Sequence, residues 1–205
     1  GAMAALVEGS AWLDGEAHYR RAEFRDASEA WERAIRADSL FALAYLGLTD
    51  AYAWFDYDKY IENLRRVRTM AERLPARERA VALAHWAQYA ASPDAIVTVR
   101  EALQRYPDAA EAWYTLGELY HHDAGVMGKP ADEEEAFRTA AGLQPTMAPY
   151  RAHLLDLAFN WYGDSARIAR ELDAYARLAP ADERTRAGRV AVALAYGDSA
   201  ARARA

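Results

Sequence analysis

Residues 113–120 read Trp-Tyr-Thr-Leu-Gly-Glu-Leu-Tyr, and residues 136–145 read Ala-Phe-Arg-Thr-Ala-Ala-Gly-Leu-Gln-Pro. In the first stretch Trp113, Leu116 and Tyr120 recur at steps of three and four residues, which places them on one face of a helix. The second stretch carries alanines four residues apart and ends on a proline, which does not continue a helix. Together the two stretches predict a pair of helices that closes at residue 145.

Similar helical stretches occur along the whole chain. They end on Ser39, Pro75, Pro107, Pro145 and Pro180, at intervals of 32 to 38 residues. A period of about 34 residues with two helices per unit is typical of a helical repeat array. In such an array each unit buries its apolar face against its neighbours. The hydrophobic fraction of 53% leans on alanine, a strong helix former.

This pattern resembles the tetratricopeptide repeat (TPR). That family carries a large apolar residue, Leu-Gly and Tyr on its first helix, then Ala, an aromatic residue and Ala on its second helix before a proline. The resemblance implies an all-α, right-handed α-solenoid of about five TPR-like helix-turn-helix repeats plus a terminal helix. The expected units are approximately 10–39, 41–75, 77–107, 109–145 and 147–180, with a terminal helix over 182–196 and the start of another.

The turns between helices carry recognisable signals. Two glycines and a proline within 121–130 predict a loop, after which Asp132 and three glutamates suit the positive end of the next helix. Gly163 and Asp164 predict a turn, with Asp164 or Ser165 as N-cap. The motif Tyr-Gly-Asp-Ser begins at 162 and again at 196, so we expect the period to continue into a sixth unit. Residues 1–3 are interpreted as a tag remnant, and 4–205 as a single repeat domain.

In the TPR family the first helices line a concave groove that takes an extended peptide or a partner helix. The family's groove-facing offsets fall here on Trp12, Glu16, Tyr19, Arg20, Asp50, Trp54, Tyr114, Glu118, His121, His122, Tyr150, His153, Asn160 and Trp161. The third unit contributes Ala84 and Gln88, which are neither aromatic nor charged. Tyrosine and tryptophan are enriched where proteins bind proteins, and the acidic members favour a partner that carries arginine or lysine. We therefore expect a protein or peptide partner with basic or apolar anchors. The alternative is that these aromatic residues fill the packing between repeats.

Several function classes are disfavoured. The net charge is −6 with arginine interspersed among acids, whereas nucleic-acid binding requires a basic face. The absence of cysteine excludes disulfides and thiolate metal sites. No apolar run is long enough to span a membrane, and we predict a cytoplasmic protein. Neither a phosphate-binding loop nor Gly-x-Ser-x-Gly nor His-Glu-x-x-His occurs, so we predict no enzyme and no cofactor.

The adjacent histidines His121 and His122 raise a metal hypothesis, with Asp123 and His153 as companions. Neighbouring residues of a helix point about 100° apart, so the two imidazoles do not converge easily on one ion. A position near a helix C-terminus, where imidazole suits the dipole, explains both residues without a metal. We therefore predict no metal site.

The sequence therefore predicts a non-catalytic scaffold or sensor module that binds a protein or peptide in an aromatic, acidic groove. Residues 74–79 and 113–118 also look like the repeat regions that follow bacterial serine/threonine kinase domains. The first alternative is accordingly a regulatory domain of a larger bacterial signalling enzyme: a kinase, a cyclase or a transcriptional regulator. The second is a homo-oligomerisation module, in which terminal repeats stack end to end. The Lys, Asn and Arg that grip a C-terminal carboxylate in one TPR subset are not at the corresponding positions.

Overall fold

A computed structural model describes residues 2–90, 92, 94–122 and 130–197, and the side chains among these except 2–8 and 130. Every regular element in these ranges is helical. The α-helices are α1 (Ala2–Arg20), α2 (Phe24–Ala37), α3 (Ala42–Tyr52), α4 (Tyr57–Thr69), α5 (Ala76–Tyr89), α6 (Ala95–Arg105), α7 (Ala110–His122), α8 (Pro130–Leu143), α9 (Ala148–Leu157), α10 (Ser165–Leu178) and α11 (Glu183–Tyr196). A 3₁₀ turn (Ala71–Arg73) follows α4, and a π-helical turn (Ala158–Tyr162) follows α9.

The described helices form five consecutive pairs. Helix α1 packs on α2, α3 on α4, α5 on α6, α7 on α8 and α9 on α10, and each pair also contacts the next. Helix α11 packs on α10 and closes the array. This arrangement confirms the predicted all-α solenoid of five helical repeats with a terminal helix.

Two helix boundaries differ from those that the sequence predicts. Helix α1 begins at Ala2, well before the expected start near Ser10. The second unit is predicted to close at residue 75, whereas its second helix α4 already ends at Thr69. Leu74 is extended (ψ 144°) because the ring of Pro75 disfavours the helical conformation of the residue before it. The predicted loop between α7 and α8 lies largely outside the described residues, as do the last residues of the second Tyr-Gly-Asp-Ser motif.

Large aromatic side chains of second helices occupy space left by glycines. Trp31 of α2 is 1% exposed and lies between α1 and α3. A Cβ atom at Gly15 would overlap the indole ring, Nε1 most closely, and one at Gly47 would approach Cε2 to 2.7 Å. Phe137 of α8 lies in the same way against Gly117 of α7. The small residues of the repeat pattern therefore set how closely the helices approach.

The turn between α9 and α10 follows the predicted chemistry. Gly163 adopts a left-handed conformation (φ 58°) that costs glycine little. Asp164 is the N-cap of α10, and its Oδ1 accepts hydrogen bonds from the amides of Ala166 and Arg167 at 2.7 and 3.1 Å. This confirms one of the two predicted caps. Asp182 caps α11 similarly, accepting from the amide of Arg184 at 2.8 Å.

The array curves so strongly that its fifth unit meets its first. Helix α9 contacts α1, and Arg20 Nη1 donates a hydrogen bond to Thr146 Oγ1 at 3.2 Å. The Trp54 ring, which follows α3, stacks on His153 of α9 with ring centroids 5.7 Å apart. The concave side is consequently a partly enclosed space, bounded by helices of the first and fifth units.

Candidate ligand-binding cavity

The concave side contains a cavity of about 670 Å³. Its lining comes from first helices, from α4 and α11, and from the turn after α3, so residues far apart in sequence meet there. The lining residues are Tyr19, Asp50, Ala53, Trp54, Tyr57, Tyr60, His85, Gln88, Tyr89, Glu111, Tyr114, Glu118, His122, Tyr150, His153 and Arg184.

The structure brings part of the predicted groove set to this cavity. The predicted residues that line it are Tyr19, Asp50, Trp54, Tyr114, Glu118, His122, Tyr150 and His153, together with Gln88. Ala84 is instead fully buried in the packing of α5. All of these cavity residues except Trp54 lie on first helices of a pair, as the family offsets require.

The other predicted groove residues lie elsewhere. Trp12 packs against the ring of Phe41, with centroids 6.5 Å apart. Glu16 and Arg20 form an ion pair at 3.8 Å on α1. His121 does not line the cavity, and its Nδ1 lies 2.6 Å from Glu133 Oε1.

Asn160 and Trp161 lie in the π-helical turn after α9, and Trp161 is 64% exposed. A π-helical turn rotates the side chains that follow it away from their expected α-helical positions. This rotation accounts for the absence of these two residues from the cavity lining.

One wall of the cavity is aromatic. Trp54 stacks on Phe24 with ring centroids 4.7 Å apart and planes within 4° of parallel. Tyr57 and Tyr60 of α4 lie 5.8 Å apart, and Tyr60 meets Tyr89 edge to face at 6.4 Å. Tyr57 is 68% exposed, so this wall extends to the solvent. The rings provide an apolar, electron-rich surface along this wall.

A second part of the cavity lining consists of tyrosines from first helices. Tyr114 of α7 stacks on Tyr150 of α9 at 5.1 Å, and Tyr19 packs against Trp31 at 5.7 Å. Burial raises the pKa of Tyr19, Tyr114 and Tyr150 well above the ordinary value, and neighbouring carboxylates add to the effect. Their hydroxyl groups consequently stay protonated near neutral pH and are available as hydrogen-bond donors.

Asp50 is an acidic side chain that lacks a charged partner at neutral pH. Its Oδ1 lies 3.6 Å from His85 Nδ1. Burial, then the negative charges of Glu111 and Glu16, raise the pKa of Asp50 well above its usual value. Burial also lowers the pKa of His85 to about 4, although the charge of Glu118 opposes this effect. Neutral His85 therefore supplies no positive charge to Asp50.

Glu118, unlike Asp50, lies beside histidines that favour its ionised form. Its Oε1 lies 2.7 Å from His153 Nε2, and its Oε2 lies 3.5 Å from His122 Nε2. Burial works against ionisation, but the charges and hydrogen bonds of His153 and His122 outweigh it and hold the pKa of Glu118 well below its usual range. In return Glu118 raises the pKa of His153, although burial works against protonation of this imidazole. Glu118 and His153 therefore form an ion pair inside the cavity wall.

A basic side chain of the terminal helix also lines the cavity. The guanidinium carbon of Arg184 in α11 lies 4.9 Å from the centroid of the Trp54 ring. A cation within about 6 Å of an aromatic face is attracted by the ring quadrupole. The terminal helix therefore contributes a cation–π contact to the second repeat, across the concave side.

Sequence reasoning missed Tyr57, Tyr60, Tyr89, His85, Glu111 and Arg184. The family offsets cover one face of the first helices, whereas Tyr57 and Tyr60 belong to α4, a second helix. Arg184 belongs to the terminal helix, which the offsets do not include. The density of tyrosine between residues 52 and 60 is the signal that could have found two of them.

The histidines that raised the metal hypothesis are close together. The ring centroids of His121 and His153 lie 5.0 Å apart, and those of His122 and His153 lie 6.2 Å apart. Each of the three rings is already within 3.5 Å of a carboxylate oxygen.

A different set, His18, Glu23 and Asp26, has possible ligand atoms within 4.8 Å of one another. Arg21 donates to both carboxylate oxygens of Glu23 at 3.0 and 2.7 Å. This guanidinium supplies a positive charge at the place where a metal ion would bind.

Comparison with known proteins identifies the fold. No model of a protein family matches the chain, and no curated protein matches it. Solved structures do. The TPR protein TTC0263 of Thermus thermophilus has a TM-score of 0.56 at 19% identity, over 91% of this chain and 99% of that chain. PilW, a type IV pilus biogenesis factor, has a TM-score of 0.54 at 17% identity, over 97% of this chain and 90% of that chain. Pseudomonas aeruginosa PilF has a TM-score of 0.52 at 16% identity, over 98% of this chain and 89% of that chain.

The chain therefore has the fold of the tetratricopeptide repeat proteins. At these identities the likeness establishes the fold, and it confirms the resemblance drawn from residues 113–120 and 136–145. None of the described helices is both long and apolar enough to cross a bilayer.

Proposed function

We propose that this chain is a protein-interaction module that binds a short segment of a partner protein in its concave cavity. The observation that carries the proposal is the cavity of about 670 Å³, with an aromatic wall and acidic groups. Sites of about 300–1,000 Å³ with mostly apolar linings and a few polar groups are typical of ligand binding. The proposal therefore assigns binding to this cavity instead of to the whole of the predicted groove.

The size of the cavity favours a short segment over a long extended peptide. Contact between α1 and α9 brings the first and fifth units together at this side of the array. A chain end or the tip of a loop fits such a space. The rigid helix pairs hold the aromatic side chains in place before binding, so the receptor loses little conformational entropy.

The lining favours binding over catalysis. Among the described residues that line the cavity there is no serine, threonine, cysteine or lysine. A serine, threonine, cysteine or lysine nucleophile beside its base is consequently not available there. The tyrosines and Trp54 are the residue types that supply most of the free energy at protein interfaces.

The proposal is tested with a pair of variants at two exposed aromatic residues. Tyr57, 68% exposed, lines the cavity, whereas Trp161, 64% exposed, does not. Short random peptides displayed on phage are selected on the protein, and the dissociation constants of the selected peptides are measured by calorimetry. Truncating an aromatic contact residue costs about 2 kcal/mol or more at a hot spot. We expect that loss for Tyr57→Ala and unchanged affinity for Trp161→Ala.

Both variants remove an exposed ring, so neither is expected to unfold the chain. A loss of binding in Trp161→Ala with none in Tyr57→Ala would place the site around Trp161, outside the cavity, and would contradict the proposal. Failure of both variants to alter binding, or selection of no peptide at all, would contradict the proposed function.

A further inference from the structure

We infer that the cavity receives the guanidinium group of an arginine side chain of the partner, with Asp50 as its counter-ion and the aromatic wall around Trp54 as its packing surface. This inference rests on the proposed function and specifies the chemistry of the ligand. Two properties of the cavity carry it: a carboxylate without a charged partner among the described residues, and an aromatic face that already holds a guanidinium. The chemistry of the guanidinium group then distinguishes arginine from other cations.

Of the cavity acids, Asp50 is the one without a positively charged partner among the described residues at neutral pH. Glu118 is paired with His153 at 2.7 Å. Glu111 accepts a hydrogen bond from Gln144 at 2.8 Å and lies 3.8 Å from Arg77. The neighbour of Asp50 is His85, which is neutral near pH 7 because burial lowers its pKa. A bound cation would relieve the repulsion among Asp50, Glu16 and Glu111 and would favour the ionised form of Asp50.

The aromatic wall already holds a guanidinium of the chain itself. Arg184 places its guanidinium carbon 4.9 Å from the centroid of Trp54, and both side chains line the cavity. The ring therefore presents a face suited to a cation. Since Arg184 is partly exposed, a partner's arginine would compete with it for the same ring.

Arginine suits this site better than lysine or a free amino group. Its planar guanidinium stacks on aromatic faces, is weakly hydrated and binds a carboxylate with two parallel hydrogen bonds. A lysine ammonium is strongly hydrated and does not stack. The combination of stacked rings with a carboxylate is therefore specific for the guanidinium.

The experiment compares three tripeptides that are blocked at both ends and differ at the central residue. One carries arginine, one carries lysine, and one carries citrulline, the uncharged analogue of arginine with nearly the same shape. Binding is measured by amide NMR shifts, which also locate the site. We expect the arginine peptide to bind at least about tenfold more tightly than the citrulline peptide, with lysine between them.

Two cavity variants and one control sharpen the test. Asp50→Asn is expected to abolish the difference between arginine and citrulline, because it removes the counter-ion and keeps the shape. Arg184→Gln is expected to tighten binding of the arginine peptide, because it removes the resident competitor. Asp58→Asn neutralises an exposed carboxylate of α4 outside the cavity. This control is expected to change neither the difference between arginine and citrulline nor the affinity for the arginine peptide.

Equal binding of the arginine and citrulline peptides to the unmodified protein would overturn the inference. If both peptides nevertheless bind in the cavity and Tyr57→Ala weakens their binding equally, the proposed function stands. Only the assignment of a guanidinium as the ligand group is then wrong. If no peptide shifts the cavity resonances, and the phage selection also yields none, the proposed function fails with it.

Discussion

Replacing Gly117 with alanine tests the close approach of α7 and α8. A Cβ atom at this position would lie 2.5 Å from Phe137 Cε1, 2.7 Å from Cδ1 and 2.8 Å from Cζ. The Phe137 ring is fully buried and cannot turn aside, since Tyr114 and His153 pack on it at centroid distances of 5.5 and 4.8 Å. The two helices must therefore separate to admit the methyl group.

The expected magnitude combines two opposing effects. Overpacking of a filled core costs about 1–3 kcal/mol. Alanine in place of glycine inside a helix gains about 1 kcal/mol or less. Gly142 in α8 has no atom within 4 Å of an added Cβ, so Gly142→Ala carries the gain without the overlap. The difference in unfolding free energy between the two variants therefore measures the cost of the overlap alone. We expect Gly117→Ala to be less stable than Gly142→Ala by about 1–3 kcal/mol.

Urea unfolding followed by far-ultraviolet circular dichroism measures both variants and the parent chain. In a chain of this size, each 1 kcal/mol corresponds to about 2–4 °C in melting temperature. A Gly117→Ala variant as stable as Gly142→Ala would refute the reasoning, because it would show that Phe137 does not fill the space beside the glycine.

The remaining predictions concern the core, the cavity and the terminal cap. Trp31→Ala is expected to lower the free energy of unfolding by about 3–5 kcal/mol, measured in the same urea series; a loss under about 1 kcal/mol would show that the ring is not a core element. Asp182→Ala removes the N-cap of α11 and is expected to cost about 1 kcal/mol, read as faster amide exchange in that helix; unchanged exchange would contradict the cap. The ion pair of Glu118 and His153 stabilises the fold between the unfolded pKa of the carboxyl, about 4.3, and that of the imidazole, about 6.5. The stabilisation is lost as pH falls through the lowered folded pKa of Glu118 or rises through the raised folded pKa of His153. The difference in unfolding free energy between the parent and Glu118→Gln should therefore be largest near about pH 5–6; a difference that does not vary with pH would exclude the pair. Asp50→Asn is expected to leave stability at neutral pH equal or higher, because its raised pKa marks a charge that folding disfavours; a clear loss of stability would show that the charged form is required by the fold.

Much of the architecture follows from local sequence signals. The period of the proline and serine stops defines the helix pairs. The position of Asp164 after Gly163 correctly predicts the N-cap of α10. Such features depend on residues within one or two turns of each other, so their physical cause is present in the sequence itself.

Several predictions from the sequence stay predictions. The tag interpretation of residues 1–3, the cytoplasmic location and the connection to a bacterial signalling enzyme are among them. The gene regions on either side of this chain test the connection to an enzyme. Light scattering at two protein concentrations tests the oligomerisation alternative.

The candidate site was less predictable than the fold. The family offsets find Tyr114 and Glu118 because both lie on a regular first helix. They fail for Trp161, which a π-helical turn displaces. They also omit Arg184, which reaches Trp54 because α11 packs behind the fifth unit. Each of these failures depends on helix geometry or on contacts between distant repeats.

The sequence by itself determined that this protein is a helical array, because apolar spacing and helix-ending residues act over a few turns. Only the tertiary structure decided that the array closes on itself, since closure is the sum of small rotations between repeats. The tertiary structure also separated two acids that look alike in sequence. Glu118 is ionised because His153 lies 2.7 Å away, whereas Asp50 resists ionisation beside other carboxylates and a neutral histidine. The charge of a side chain depends on neighbours that only the folded chain supplies.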